Sequence, residues 1–221
     1  MESTLLVIIL AVTLVFFAFT RYVVARISQN HYGQRADFFH RYPVNEGDVV
    51  FLGDSITDGG AWEELFPGVP LKNRGINGDT TIGVLNRLDD ILRSRPRAIF
   101  LLIGTNDLPW FEYRSDRAIL RTYSQILDRC HEQSPQTQVY VQSILPRARA
   151  YTKRIERLNV QLEQLASVCQ CPYIDLYTSF GDSKGVLRPE LTNDHLHLLA
   201  AGYARWVEIL TPYINDLFSR T

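Results

Sequence analysis

Apolar and polar positions follow three regimes along this chain. Residues 5–19 are apolar apart from Thr13, and the run continues weakly past Thr20 and Arg21 through Tyr22, Val23 and Val24. Residues 26–42 are mixed and read as a helix, with Ala36, Phe38, Phe39 and Tyr42 able to dock on a neighbouring domain. Beyond that point short apolar runs alternate with longer segments of helical period, the signature of a parallel sheet wrapped on both faces. The predicted strands are 49–52, 71–73, 98–103, 138–142 and 173–174. Between and after them lie four stripes with a spacing of three or four. They are Ile82, Leu85, Leu88 and Leu92; Ile119, Tyr123, Ile126, Leu127 and Cys130; Ile155, Leu158, Leu162, Leu165 and Cys169; and Tyr203, Val207, Leu210, Ile214 and Leu217. Each stripe predicts one buried helix face. Five strands with helical crossovers make an α/β protein, a three-layer α/β/α sandwich on a five-stranded parallel sheet, preceded by an N-terminal hydrophobic helix.

The first regime has three readings. A secretory signal peptide needs a basic start, but only Met1 to Thr4 precede the run, and Ala18-Phe19-Thr20 is only loosely small-x-small. A buried core helix needs a polar stripe to face water, and none is present. A membrane anchor over residues 3–24 is the favoured reading, long enough to span with some tilt or bilayer thinning. Arg21, Arg26 and Arg35 follow the run while no lysine or arginine precedes it, so the positive-inside rule leaves the rest of the chain in the cytoplasm, with a periplasmic or extracellular side as the alternative. The expected organisation is an anchor at 1–25, a neck and covering helix at 26–45, and one α/β domain at 46–221.

Length and charge narrow the class further. At 221 residues the chain holds one domain with a full core. Its 23 basic and 24 acidic residues nearly cancel, which leaves no electrostatic footprint for nucleic acid. The three cysteines, Cys130, Cys169 and Cys171, form neither a disulfide framework nor a zinc motif, and Cys130 and Cys169 read as small buried hydrophobes.

The candidate chemistry sits at the edges of the predicted strands. Gly53-Asp54-Ser55 closes the first strand, Asn73-Arg74-Gly75-Ile76-Asn77 the second and Gly104-Thr105-Asn106-Asp107 the third, while Asp194-His195-Leu196-His197 precedes the last helix. In open parallel sheets the ligand crevice lies beyond the carboxyl ends of the strands, so these segments can share one rim. A serine hydroxyl is a poor nucleophile until an imidazole, held in one tautomer by an acceptor, takes its proton. Ser55, His197 and Asp194 have those functional groups. The backbone N–H groups of Ser55 and Gly75 and the side-chain amide of Asn106 are candidate oxyanion donors. Duller readings exist for each: Ser55 as a helix N-cap, Asp194 as the cap of the last helix, and Asn106 as a turn residue. Asp54, Asp79 and Asp107 read as structural, with Asp79 as the N-cap of the following helix and the other two bracing turns. No metal or cofactor is expected, because Asp194, His195 and His197 lack further ligands at a recognisable spacing.

With these residues in place, the chain resembles the SGNH hydrolases, also called the GDSL esterase and lipase family, over about residues 46–206. The four marker residues of that family correspond to Ser55, Gly75, Asn106 and His197. The wording around Ser55 and Gly75 is most similar to a small acetylhydrolase branch that includes the platelet-activating-factor acetylhydrolase subunits. The resemblance implies a flavodoxin-like strand order and an esterase acting on a small-molecule, lipid or glycan ester, with a short acyl group favoured. Lysophospholipid or thioester hydrolysis, acyl transfer on the same triad, and a non-catalytic binding scaffold are the alternatives. One departure is visible, since His195 stands where the family often has glycine. Trp62, the 108–111 run, Arg147 and Tyr151 lie on segments that reach the rim, as pocket walls or as packing and, for Arg147, a solvated loop.

Overall fold

The computed structural model describes residues 2–109 and 114–219. Helix α1 (Glu2–Arg41) is continuous for 40 residues. The remaining elements are β1 (Val49–Gly53), α2 (Ser55–Asp58), α3 (Trp62–Leu65), β2 (Leu71–Gly75), α4 (Thr81–Leu92), β3 (Ala98–Leu102), α5 (Asp116–Gln133), β4 (Gln138–Gln142), α6 (Thr152–Val168), β5 (Tyr173–Ile174), α7 (Tyr177–Phe180) and α8 (Ala200–Ser219). All strand pairs are parallel in the order β2-β1-β3-β4-β5. This is the doubly wound, flavodoxin-like order, and its switch point lies between β1 and β3.

The central strands β1 and β3 are buried on both faces and are continuous apolar runs, whereas the edge strand β2 carries Lys72, Asn73 and Arg74; along β1, β3 and β4 successive side chains alternate between two cores. Val50, Leu52, Ile99, Leu101, Val139 and Val141 face the layer containing α4, α5 and α6. Val49, Phe51, Phe100 and Tyr140 face the layer containing α3 and α8. On that second face aromatic rings stack from strand to strand. Phe51 lies 5.2 Å from Phe100 and Phe100 4.5 Å from Tyr140, and Trp62 caps the row 4.3 Å from Phe51.

The α5 stripe is buried as the spacing predicts; that of α6 is buried at Ile155, Leu158 and Leu162 but only partly at Leu165 and Cys169, and those of α4 and α8 differ in phase. In α4 the inward positions are Thr81, Val84, Leu88, Ile91 and Leu92, while Ile82 faces solvent. The phase is set by Thr81, a polar residue whose N–H and hydroxyl both bond to the buried Asp107 and which therefore turns inward at the start of the helix. In α8 the fully buried line is Gly202, Trp206, Leu210 and Ile214, with Tyr203, Val207 and Leu217 on its flanks. Gly202 permits this close approach, because a Cβ there would sit 3.0 Å from the Leu191 carbonyl oxygen. Cys130 is buried, whereas Cys169 closes α6 and is half-exposed.

The N-terminal half of α1 stands clear of the domain. An 18-residue window within Ile9–Arg41 has a mean hydropathy of 1.7 with none of it buried, long and apolar enough to cross a membrane, a property shared by anchors and signal sequences. The C-terminal half packs on the domain. Phe39 is buried between the Arg35 and Arg74 guanidinium groups, 4.7 and 4.5 Å from its ring centre. Phe38 and Tyr42, two of the expected docking residues, stay exposed and pack on each other.

Candidate active site

Three strand ends and one loop build the rim. A Cβ on Gly53 would lie 2.3 Å from both the Leu102 carbonyl oxygen and Thr57 Oγ1, so only glycine lets β1 turn into α2 between its neighbours. Asp54, not Ser55, is the N-cap of α2, its Oδ1 accepting the Ile56 N–H at 2.9 Å. Ser55 is the first helical residue, so its side chain is spared from capping and its N–H belongs to the first turn, which has no acceptor within the helix.

The Ser55 hydroxyl lies 3.0 Å from His197 Nε2. On the other side of the ring, Nδ1 is 2.6 Å from Asp194 Oδ2. Burial raises the Asp194 carboxyl, but the imidazole and the backbone N–H groups of His197 and Leu196 outweigh it and hold the group well below the usual carboxylate range. An ionised carboxylate only accepts, so Nδ1 carries the proton and Nε2 is left to accept from Ser55. Asp194 Oδ1 takes the N–H groups of Leu196 and His197 at 2.9 and 2.8 Å, which folds residues 194–197 into a tight turn. Asp194 does not cap the last helix, which begins at Ala200. The turn requires His195 at φ 60°, in the left-handed region that favours glycine. His195 therefore occupies backbone that glycine adopts without strain.

The candidate donors sit on the adjoining strand ends. Gly75 ends β2, and its N–H donates to Asn73 Oδ1 at 2.9 Å. A Cβ on Gly75 would lie 2.2 Å from the Asp58 backbone nitrogen, so this glycine lets α2 rest directly on β2. Asn106 lies in a 3₁₀ turn, Thr105–Asp107, and gives an amide hydrogen to the Asp79 carbonyl at 2.9 Å. The turn starts from Gly104 at φ 118°.

Carboxylates brace the rim. Thr80, not Asp79, is the N-cap of α4, accepting from the Gly83 N–H, while Asp79 binds the Thr80 N–H and Arg87. Asp107 holds Thr81 and Arg114. Asp54 is fully buried, and desolvation, aided by the nearby Asp79 and Asp107, pushes its carboxyl up to about 7 despite the Ile56 N–H and Arg147.

Other expected rim residues have different surroundings. Trp62 is core, stacked on Phe51 with its indole N–H donated to the Thr57 carbonyl. Arg147 is half-buried rather than part of a solvated loop. It donates to the Thr105 carbonyl at 3.0 Å and stacks on the Tyr151 ring, supporting the turn that carries Asn106. Leu108 and Pro109 are buried, and Trp110 and Phe111 lie outside the described residues. Two supports carry no local sequence signal. The Tyr203 hydroxyl donates to the Ile56 carbonyl, fastening α8 to α2, and Asn73 engages Gly75.

A five-stranded doubly wound sandwich with serine, histidine and aspartate hydrogen-bonded at its carboxyl rim is the architecture of an α/β acyl hydrolase. Residues 51–205 match the GDSL-like Lipase/Acylhydrolase family, and the chain belongs to that family. It is 30% identical over 189 residues to platelet-activating factor acetylhydrolase IB subunit alpha2 of Rattus norvegicus, covering 80% of each chain. A solved chain from Streptococcus pneumonia named for platelet activating factor superposes with a TM-score of 0.81 at 27% identity, covering 89% of this chain and 99% of that one. A GDSL-like lipase from Bacteroides thetaiotaomicron shares the fold with a TM-score of 0.74 at 22% identity, covering 83% and 97%.

Proposed function

We propose that this protein is a membrane-anchored serine esterase that hydrolyses carboxylic esters through an acyl-serine intermediate. The observation that carries this reading is the continuous hydrogen-bond path from Ser55 Oγ through the His197 ring to Asp194, with contacts of 3.0 and 2.6 Å. Ser55 Oγ attacks the ester carbonyl carbon as His197 Nε2 takes its proton, and Asp194 stabilises the imidazolium that forms. The tetrahedral oxyanion collapses, the C–O bond to the alcohol breaks, and His197 returns the proton to the departing alkoxide. A water then attacks the acyl-serine, giving its proton to the same nitrogen, and the acid leaves as Ser55 is reprotonated. This reading assigns the developing charge to the Ser55 N–H and the second amide hydrogen of Asn106; the Gly75 N–H, donated to Asn73 Oδ1, joins them only by sharing that hydrogen. No step calls on a metal or organic cofactor.

The similarity to the acetylhydrolase subunit favours a short acyl group. The exposed apolar half of α1 supports a single-pass anchor, and the arginines that follow it favour a cytoplasmic domain. The test is turnover of acetyl, butyryl and long-chain esters, acyl thioesters, lysophospholipid and O-acetylated sugars by the purified full chain and its variants. The proposal expects the fastest turnover on acetyl or other short-chain esters, with His197→Ala losing almost all of it while keeping the folded state. Asn106→Ala should lower kcat about 10²- to 10³-fold, the usual cost of one oxyanion donor. A folded chain inert on the whole panel would instead support a binding scaffold.

A further inference from the structure

Helix α1 lies along α4, and its contacts fix both its direction and its level on the domain. The Tyr32 hydroxyl reaches the Gly83 carbonyl in the first turn of α4, and His40 meets Asp90 near its end. The two helices therefore run parallel. Helix α4 starts at the rim, where Thr81 bonds Asp107 beside Asn106, and descends to the opposite end of the sheet. Following α1 backwards thus climbs towards the rim. Arg35 binds Asp58, three residues after Ser55, at 2.8 Å, and Ser28 Oγ lies 3.3 Å from where a Cβ on Gly78 would be, three residues past Gly75. Above Ser28 the helix leaves the domain, and it does so on the side that carries Ser55 and His197.

The dimensions are specific. Residues 5–24 span about 30 Å of helix, the thickness of a bilayer's hydrocarbon core. From Val24 to Ser28 the rise is about 6 Å, close to the depth of one headgroup layer. A continuous helix with no proline between these points transmits orientation without a hinge. Two apolar side chains at helix starts are more than 40% exposed, Ile82 in the first turn of α4 and Leu199 just before α8.

We infer that α1 holds the catalytic rim against the membrane surface, so that the site takes its ester from the lipid layer: the substrate is an amphiphile whose carbonyl lies at the headgroup boundary. This rests on the anchored-hydrolase reading above and adds a direction to it. A domain hung the other way up would have to receive its substrate from water.

The test uses the full chain in phosphatidylcholine vesicles containing a headgroup-labelled quencher lipid. A fluorophore is placed at Asn77→Cys, exposed on the rim, or at Gln136→Cys, exposed at the opposite end of the sheet, with Cys169 and Cys171 changed to serine. The five-residue strands alone separate these ends by about 17 Å, so quenching at position 77 should exceed that at 136 by at least about threefold. Equal quenching, the reverse order, or none at either site would overturn the inference. In a second arm, a flexible Gly/Ser segment of about 20 residues is inserted between Arg26 and Ile27, which frees the domain to turn. Turnover of a vesicle-borne acetylated lysophospholipid analogue should fall several-fold while a water-soluble acetyl ester is hydrolysed as before; unchanged turnover of the lipid ester would count against it. The fluorescence reads orientation without catalysis, so failure of the esterase reading and failure of the orientation give different results.

Discussion

His195 stands in left-handed backbone between the two residues proposed to orient and carry the proton. A non-glycine residue there costs about 1–2 kcal/mol. His195→Gly should therefore raise Tm by about 2–4 °C for each kcal/mol recovered, less the greater chain entropy glycine brings to the unfolded state. An unchanged or lowered Tm by calorimetry would show that the histidine is compensated elsewhere. Asp54 supports a different prediction. Its carboxyl is pushed from an ordinary 3.8 to about 7 in the folded chain, so between those values the native state binds more protons than the unfolded one. Stability contributed at this position is complete below about pH 4, is lost as pH rises to about 7, and is level above. Asp54→Asn keeps an Oδ1 acceptor for Ile56 and cannot ionise. Its Tm relative to the parent should climb between pH 4 and 7 and then flatten, and a difference independent of pH would mean that Asp54 is ionised throughout.

Strand β2 and helix α2 touch through glycine. Adding a methyl group at Gly75 drives it into Asp58 and Asp54 backbone atoms at 2.2–2.8 Å, none of them able to swing aside. Gly75→Ala should cost about 1–3 kcal/mol by overpacking and also displace Ser55, so that urea unfolding and kcat change together. A variant of full stability with lowered kcat would assign Gly75 to the oxyanion alone. These elements differ in how plainly the amino-acid order announces them. Strands such as β1 are legible because burial on both faces leaves short runs like Val49-Val50-Phe51-Leu52; three of the four reactive words are legible because each stands at a strand's end, and the fourth, Asp194 to His197, because it comes just before the stripe of the last helix. The phases of α4 and α8 are not, since hydrophobicity alone ranks Ile82 above Thr81 and does not see Gly202 as a contact surface. Arg147 reads as solvated because its acceptor, the Thr105 carbonyl, lies 42 residues away. The bond from Gly75 to Asn73 escapes for the opposite reason, being a local side-chain contact with no pattern of its own.

In the intact molecule a 40-residue helix joins an apolar, exposed segment to a sandwich whose rim gathers side chains from positions as far apart as Ser55 and His197. The sandwich follows from periodicity, and its strand order from the family it resembles. The docking of α1 depends on pairs such as Arg35 with Asp58, which no spacing rule announces. That docking ties any membrane attachment to the orientation of the site. The central claim is that Ser55 is the nucleophile, and a fluorophosphonate tests it most directly, since it forms a covalent bond only with a serine activated by a neighbouring base. Peptide mass spectrometry of the treated, folded chain should find one phosphonyl adduct, on Ser55, absent from Ser55→Ala and strongly reduced in His197→Ala. Adduct on another serine, or none on a chain that remains folded, would contradict the account.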